Sequence, residues 1–101
     1  METKIKQYYN KWKSTNEDED KKAFMSALYS EMRAFSYAFL SQQAFKGITD
    51  HMQIDDIIQD AYMAMIEDPT GISKSIENNQ IKIYIAEMLK IKYFEYRKNN
   101  R

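Results

Sequence analysis

Apolar residues recur every three or four positions over four stretches of this chain, with polar breaks between them, so each stretch reads as an amphipathic helix. Ile5, Tyr8, Tyr9 and Trp12 mark a first helix over residues 3–14. Asn16 to Asp20 makes a polar, acidic break whose carboxylates suit the positive end of the helix that follows. A second helix is predicted over about residues 20–45, closed by Gly47. Phe24, Leu28, Met32, Phe35 and Phe39 form its core stripe, and Ala27, Ala34 and Ala38 beside them would admit a close neighbour.

Asp50-His51-Met52-Gln53 has the form of a capping box and opens a third helix to about residue 67. Ile54, Ile57, Ile58, Ala61 and Met65 line its inward face, leaving Asp55, Asp56, Gln59, Asp60 and Met63 outward or flanking. Asp68-Pro69-Thr70-Gly71 stops it, and residues 72–79 read as a loop ending in the caps Asn78 and Asn79. A fourth helix is predicted over about residues 80–99. Ile81, Ile85, Met88 and Leu89 face inward there, followed by Tyr93 and Tyr96 in a more basic second half. The expectation is an all-α fold, one domain of about four helices over residues 1–101.

Composition agrees with that class. Glycine (2) and proline (1) are scarce, and 44% of residues are apolar, enough for a core. The absence of cysteine excludes disulfides and thiolate metal sites. No apolar run has membrane-spanning length and the first residues are charged, so a cytoplasmic protein without membrane contact is expected.

Fifteen basic and fifteen acidic side chains cancel, and only their arrangement is informative. Residues 50–68 carry Asp50, Asp55, Asp56, Asp60, Glu67 and Asp68 with no Lys or Arg. Residues 81–101 carry Lys82, Lys90, Lys92, Arg97, Lys98 and Arg101 against Glu87 and Glu95, 6 − 2 = +4. One helix is acidic and another basic. Catalytic signatures are missing: there is no glycine-rich phosphate loop, no nucleophile elbow and no HExxH. His51, the sole histidine, reads as a surface residue of the third helix, so no catalytic residue, metal site or cofactor is expected.

Two stretches carry a family resemblance. Ile54-Asp55-Asp56-Ile57-Ile58-Gln59-Asp60-Ala61-Tyr62 resembles the "D-[LI]-[VI]-Q-[DE]" helix in region 2 of bacterial sigma factors, closest in style to the extracytoplasmic-function group. Ile85-Ala86-Glu87-Met88-Leu89-Lys90-Ile91-Lys92-Tyr93-Phe94, then Arg97-Lys98, is similar to the family's "I-A-x-N-x-x-x-D-x-x-R-R" helix, with Met88 and Lys92 in place of its Asn and Asp and its run of arginines diluted by Glu95 and Tyr96. Residues 27–39 fit the aromatic-rich helix that precedes both, so the resemblance spans residues 20–101.

The resemblance implies a sigma-like module, of phage or mobile-element type or half of a split sigma. Asp55, Asp56, Gln59, Asp60 and Met63 would dock on the clamp coiled coil of core RNA polymerase. Lys90, Lys92, Tyr93, Tyr96, Arg97 and Lys98, with the loop over residues 68–79, would hold the single-stranded −10 promoter DNA. Reading of the −35 element would fall to a separate region 4-like partner. On the residues alone, the alternative is a small helical inhibitor or adaptor that binds polymerase or another host protein without touching DNA.

Overall fold

The computed structural model describes residues 2–41 and 51–99. These form five helices: α1 (Glu2–Thr15), α2 (Asp18–Leu40), α3 (His51–Ile66), α4 (Pro69–Glu77) and α5 (Ile81–Asn99). Among the described residues there is no strand, so the fold is all-α. Phe45, Gly47, Asp50 and Arg101 lie outside the described residues, as do the side chains of His51 and Met52.

The fifth helix is α4, over residues whose sequence predicts a loop. Asp68 does end α3, but its carboxylate also accepts from the Gly71 N–H (3.2 Å) and so caps a new helix with Pro69 in its first turn. A proline there forfeits no hydrogen bond and has its φ preset for helix. Ile72 and Ile76 then turn inward and bury. Asn78 and Asn79, read as caps of the following helix, close the preceding one instead. Asn79 takes the left-handed conformation (φ 56°), its N–H donates to Ile76 O (3.2 Å), and the Gln80 N–H donates to Ser75 O (2.7 Å). That pair of bonds is the Schellman arrangement, with asparagine in the place glycine usually takes. Asn16 (φ 55°) ends α1 in a similar way, its N–H on Trp12 O at 2.7 Å.

All five helices contribute to one core, in which Ile5 and Tyr9 of α1 meet the apolar faces of the others. On α3 the inward set is the expected one: Ile54, Ile57, Ile58, Ala61 and Met65 are all buried. On α2 the stripe takes a different course. Phe24, Leu28 and Met32 are buried, but Ser36 and Leu40 continue the row, while Phe35 and Phe39 stack on each other (5.7 Å between centroids) at its flank. A single i+4 row, inclined to the helix axis, follows the neighbouring helices down α2. Ala34 and Ala38 face solvent, so no close helix approach uses them. The helix starts at Asp18, with Asp18, Glu19 and Asp20 in its first turn. Its last residue is Leu40, earlier than expected, and the Ser41 hydroxyl donates to Tyr37 O (2.6 Å) beyond it. Serine competes in this way with the helical ladder.

On α5 the row Ile81, Ile85, Leu89 and Tyr93 is buried and Met88 packs against it. Among the described residues no helix is long and apolar enough to cross a membrane.

Candidate functional site

The periodicity that buries Ile54, Ile57, Ile58, Ala61 and Met65 leaves the opposite side of α3 to solvent. Asp56, Gln59, Asp60 and Met63, spaced i, i+3, i+4 and i+7, are all exposed there, and Met63 retains 55% of its surface. None of these four makes an ion pair or side-chain hydrogen bond among the described residues. The row therefore combines two carboxylates, an amide and a polarizable thioether, uncommitted among the described residues. Glu67 extends its acidity past the end of the helix.

Asp55 belongs elsewhere. It turns toward α2, accepts a hydrogen bond from the Tyr37 hydroxyl (2.5 Å) and pairs with Arg33 Nε (3.6 Å). The bond to the Asp55 carboxylate, helped by burial, raises the Tyr37 hydroxyl above its ordinary pKa. Asp55 is thus a strut between α2 and α3, and it differs from the other four residues of the expected docking set in having partners within the fold.

The basic helix divides in a comparable way. Lys90, Arg97 and Lys98 are exposed. Lys92 is half-buried and pairs with Glu95 at 3.1 Å. Tyr93, expected to offer a stacking face, is 1% exposed and belongs to the core. Its hydroxyl accepts from Arg97 Nη1 (3.2 Å). Tyr96 is half-buried and packs against the core. Phe94 carries the accessible aromatic face, at 64% exposure. Lys90, Phe94, Arg97 and Lys98 share one side of α5 at i, i+4, i+7 and i+8, making a basic ridge around a single exposed ring. The signal for Phe94 was in the sequence: extending the inward row by four from Ile81 through Ile85 and Leu89 reaches Tyr93 and leaves the next residue outward.

Two further apolar residues of α5, Ile83 (58% exposed) and Ile91 (51%), lie on the outward side as well. The segment 68–79, expected as a strand-holding loop, is the capped helix α4 and presents Thr70, Lys74 and Glu77 to solvent. No group of three or more His, Asp or Glu side chains placed to hold a metal ion occurs among the described residues. No family model, curated protein or solved structure matches this chain.

Proposed function

We propose that this chain is a sigma region 2-like module that docks on core RNA polymerase through α3 and engages the −10 promoter strand through α5. The observation that carries the reading is the uncommitted row Asp56, Gln59, Asp60 and Met63 on the helix whose sequence resembles the family's docking helix. Carboxylates beside an amide suit an arginine-bearing helical partner, through charge-assisted hydrogen bonds and accelerated encounter. On α5, Lys90, Arg97 and Lys98 would follow phosphates while Phe94 stacks on an unpaired base. The module works in the cytoplasm.

A second reading has its own support. Ile83, Ile91 and Phe94 make the outward side of α5 unusually apolar, and α4 is a closed helix where strand capture was expected of a loop. Both features suit an adaptor or inhibitor that binds polymerase or another host protein and never contacts DNA.

Co-purification with core polymerase tests the shared premise. Asp56→Arg with Asp60→Arg should abolish binding while the helical spectrum and melting temperature stay near the parent's, because both side chains are solvent-facing. Retention of the parent's binding by that variant would refute the docking face. Polymerase binding without crosslinking to a single-stranded −10 oligonucleotide would select the adaptor.

A further inference from the structure

A crevice of about 230 Å³ opens where α1, α2 and the α3–α4 corner meet. Its walls are apolar: Trp12 and Phe24 stack on each other (5.5 Å between centroids, 24° apart), with Ile66, Pro69 and Ile72 opposite. Two cations stand on the rim. Lys13 Nζ lies 4.3 Å from the centre of the Trp12 ring and Lys21 Nζ lies 5.9 Å from it. Neither lysine has a carboxylate partner among the described residues, and no acidic side chain lines the crevice. Asp20, the acid next to Lys21 in sequence, is committed to Lys11 (3.6 Å) and to the Thr15 hydroxyl.

We infer that this crevice is a binding site for an aromatic ring that bears a carboxylate. A dry cavity of roughly 150 Å³ accommodates benzene, so the larger volume here admits one ring and a short acidic arm. The ring is desolvated against the apolar lining, which includes Phe24, Met25, Ile66, Pro69 and Ile72. The carboxylate meets Lys13 and Lys21, whose ammonium groups already stand over the aromatic floor. Two cations at one mouth, with no internal anion, select an acid over a neutral ring. Free aromatic acids and the C-terminal phenylalanine of a peptide share this chemistry. The inference does not depend on the polymerase reading, which rests on α3 and α5.

Trp12 is the sole tryptophan, so its indole N–H supplies one assignable cross-peak in a ¹⁵N-labelled sample of the full chain. Titration with phenylacetate should move that peak saturably in the millimolar range, and acetate or benzyl alcohol should move it at least tenfold less effectively. Lys13→Gln with Lys21→Gln, both surface changes, should weaken phenylacetate at least tenfold without altering the helical spectrum. A short peptide ending in phenylalanine, compared with its amidated form, separates the two sources: tighter binding than phenylacetate assigns a chain terminus, weaker binding a free acid. The inference is overturned if phenylacetate gives no saturable shift, if benzyl alcohol binds as well, or if the double variant keeps the parent's affinity.

Discussion

The Tyr84 hydroxyl donates to Asp68 Oδ2 across 2.8 Å, which ties the first turns of α5 to the N-cap of α4. The other oxygen of the same carboxylate receives the Gly71 N–H. Asp68 thereby does two tasks at once, capping α4 and tying it to the basic helix.

Gly71 is confined by that arrangement. A Cβ built there would lie 2.1 Å from Asp68 Oδ2 and 2.9 Å from the Tyr84 hydroxyl. Gly→Ala inside a helix ordinarily stabilises by up to about 1 kcal/mol. Here Gly71→Ala should destabilise by about 1 kcal/mol, because the Asp68 side chain must rotate out of its cap. In an Asp68→Ala background the same change should cost less than in the parent, since the carboxylate at 2.1 Å is gone and only the Tyr84 hydroxyl at 2.9 Å has to give way. Urea denaturation of the four proteins of this cycle measures it, and additive losses would sink the argument.

Alkaline pH probes the same contact from the other side. Partial burial, then the bond to Asp68, pushes the Tyr84 hydroxyl well above its ordinary value of 10.0. A group whose folded pKa is raised favours the fold in its protonated form. That contribution is complete below the unfolded value and is lost as pH climbs above it. Burial of Tyr62 and the Asp55 bond of Tyr37 act in the same direction. Stability should therefore fall above about pH 10. Tyr84→Phe should be weaker than the parent at neutral pH by about 1 kcal/mol and fall less steeply in alkali. Parallel stability curves for the two proteins would show that Tyr84 does not contribute to the alkaline loss.

On α5, two adjacent aromatics should respond in opposite ways. Phe94→Ala removes an exposed ring and should leave the melting temperature nearly unchanged. If a base stacks on it within a polymerase assembly, binding of a −10 single strand should weaken by about 1–3 kcal/mol. Tyr93→Ala empties a core position and should cost about 3 kcal/mol or more of folding stability. Strand binding by the Phe94 variant equal to the parent's would remove the stacking role from this helix and favour the adaptor.

Much of the fold is legible in the sequence, because burial follows helical periodicity wherever an apolar row is dense. The inward sets of α3 and of the first half of α5 follow from spacing alone, since no other rotation of those helices hides so many isoleucines. The outward row Asp56, Gln59, Asp60 and Met63 follows as its complement. Spacing does not specify which of two adjacent rows a long helix buries. On α2 the packing of neighbouring helices chose Ser36 and Leu40 over Phe35 and Phe39. Asp68-Pro69 is both a helix stop and a helix start, and only burial of Ile72 and Ile76 against the rest of the core decides that α4 forms. The contacts of Asp55 and the burial of Tyr93 are set across helices as well. A carboxylate at the edge of a helix face points to solvent or to a neighbour according to what that neighbour offers, and α2 offers the Tyr37 hydroxyl and Arg33. A tyrosine in a basic segment is surface or core according to whether its ring continues an apolar row, and Tyr93 continues the row of Leu89. Helix type and face are local properties of the chain; the choice of partner across a contact is a property of the packed whole.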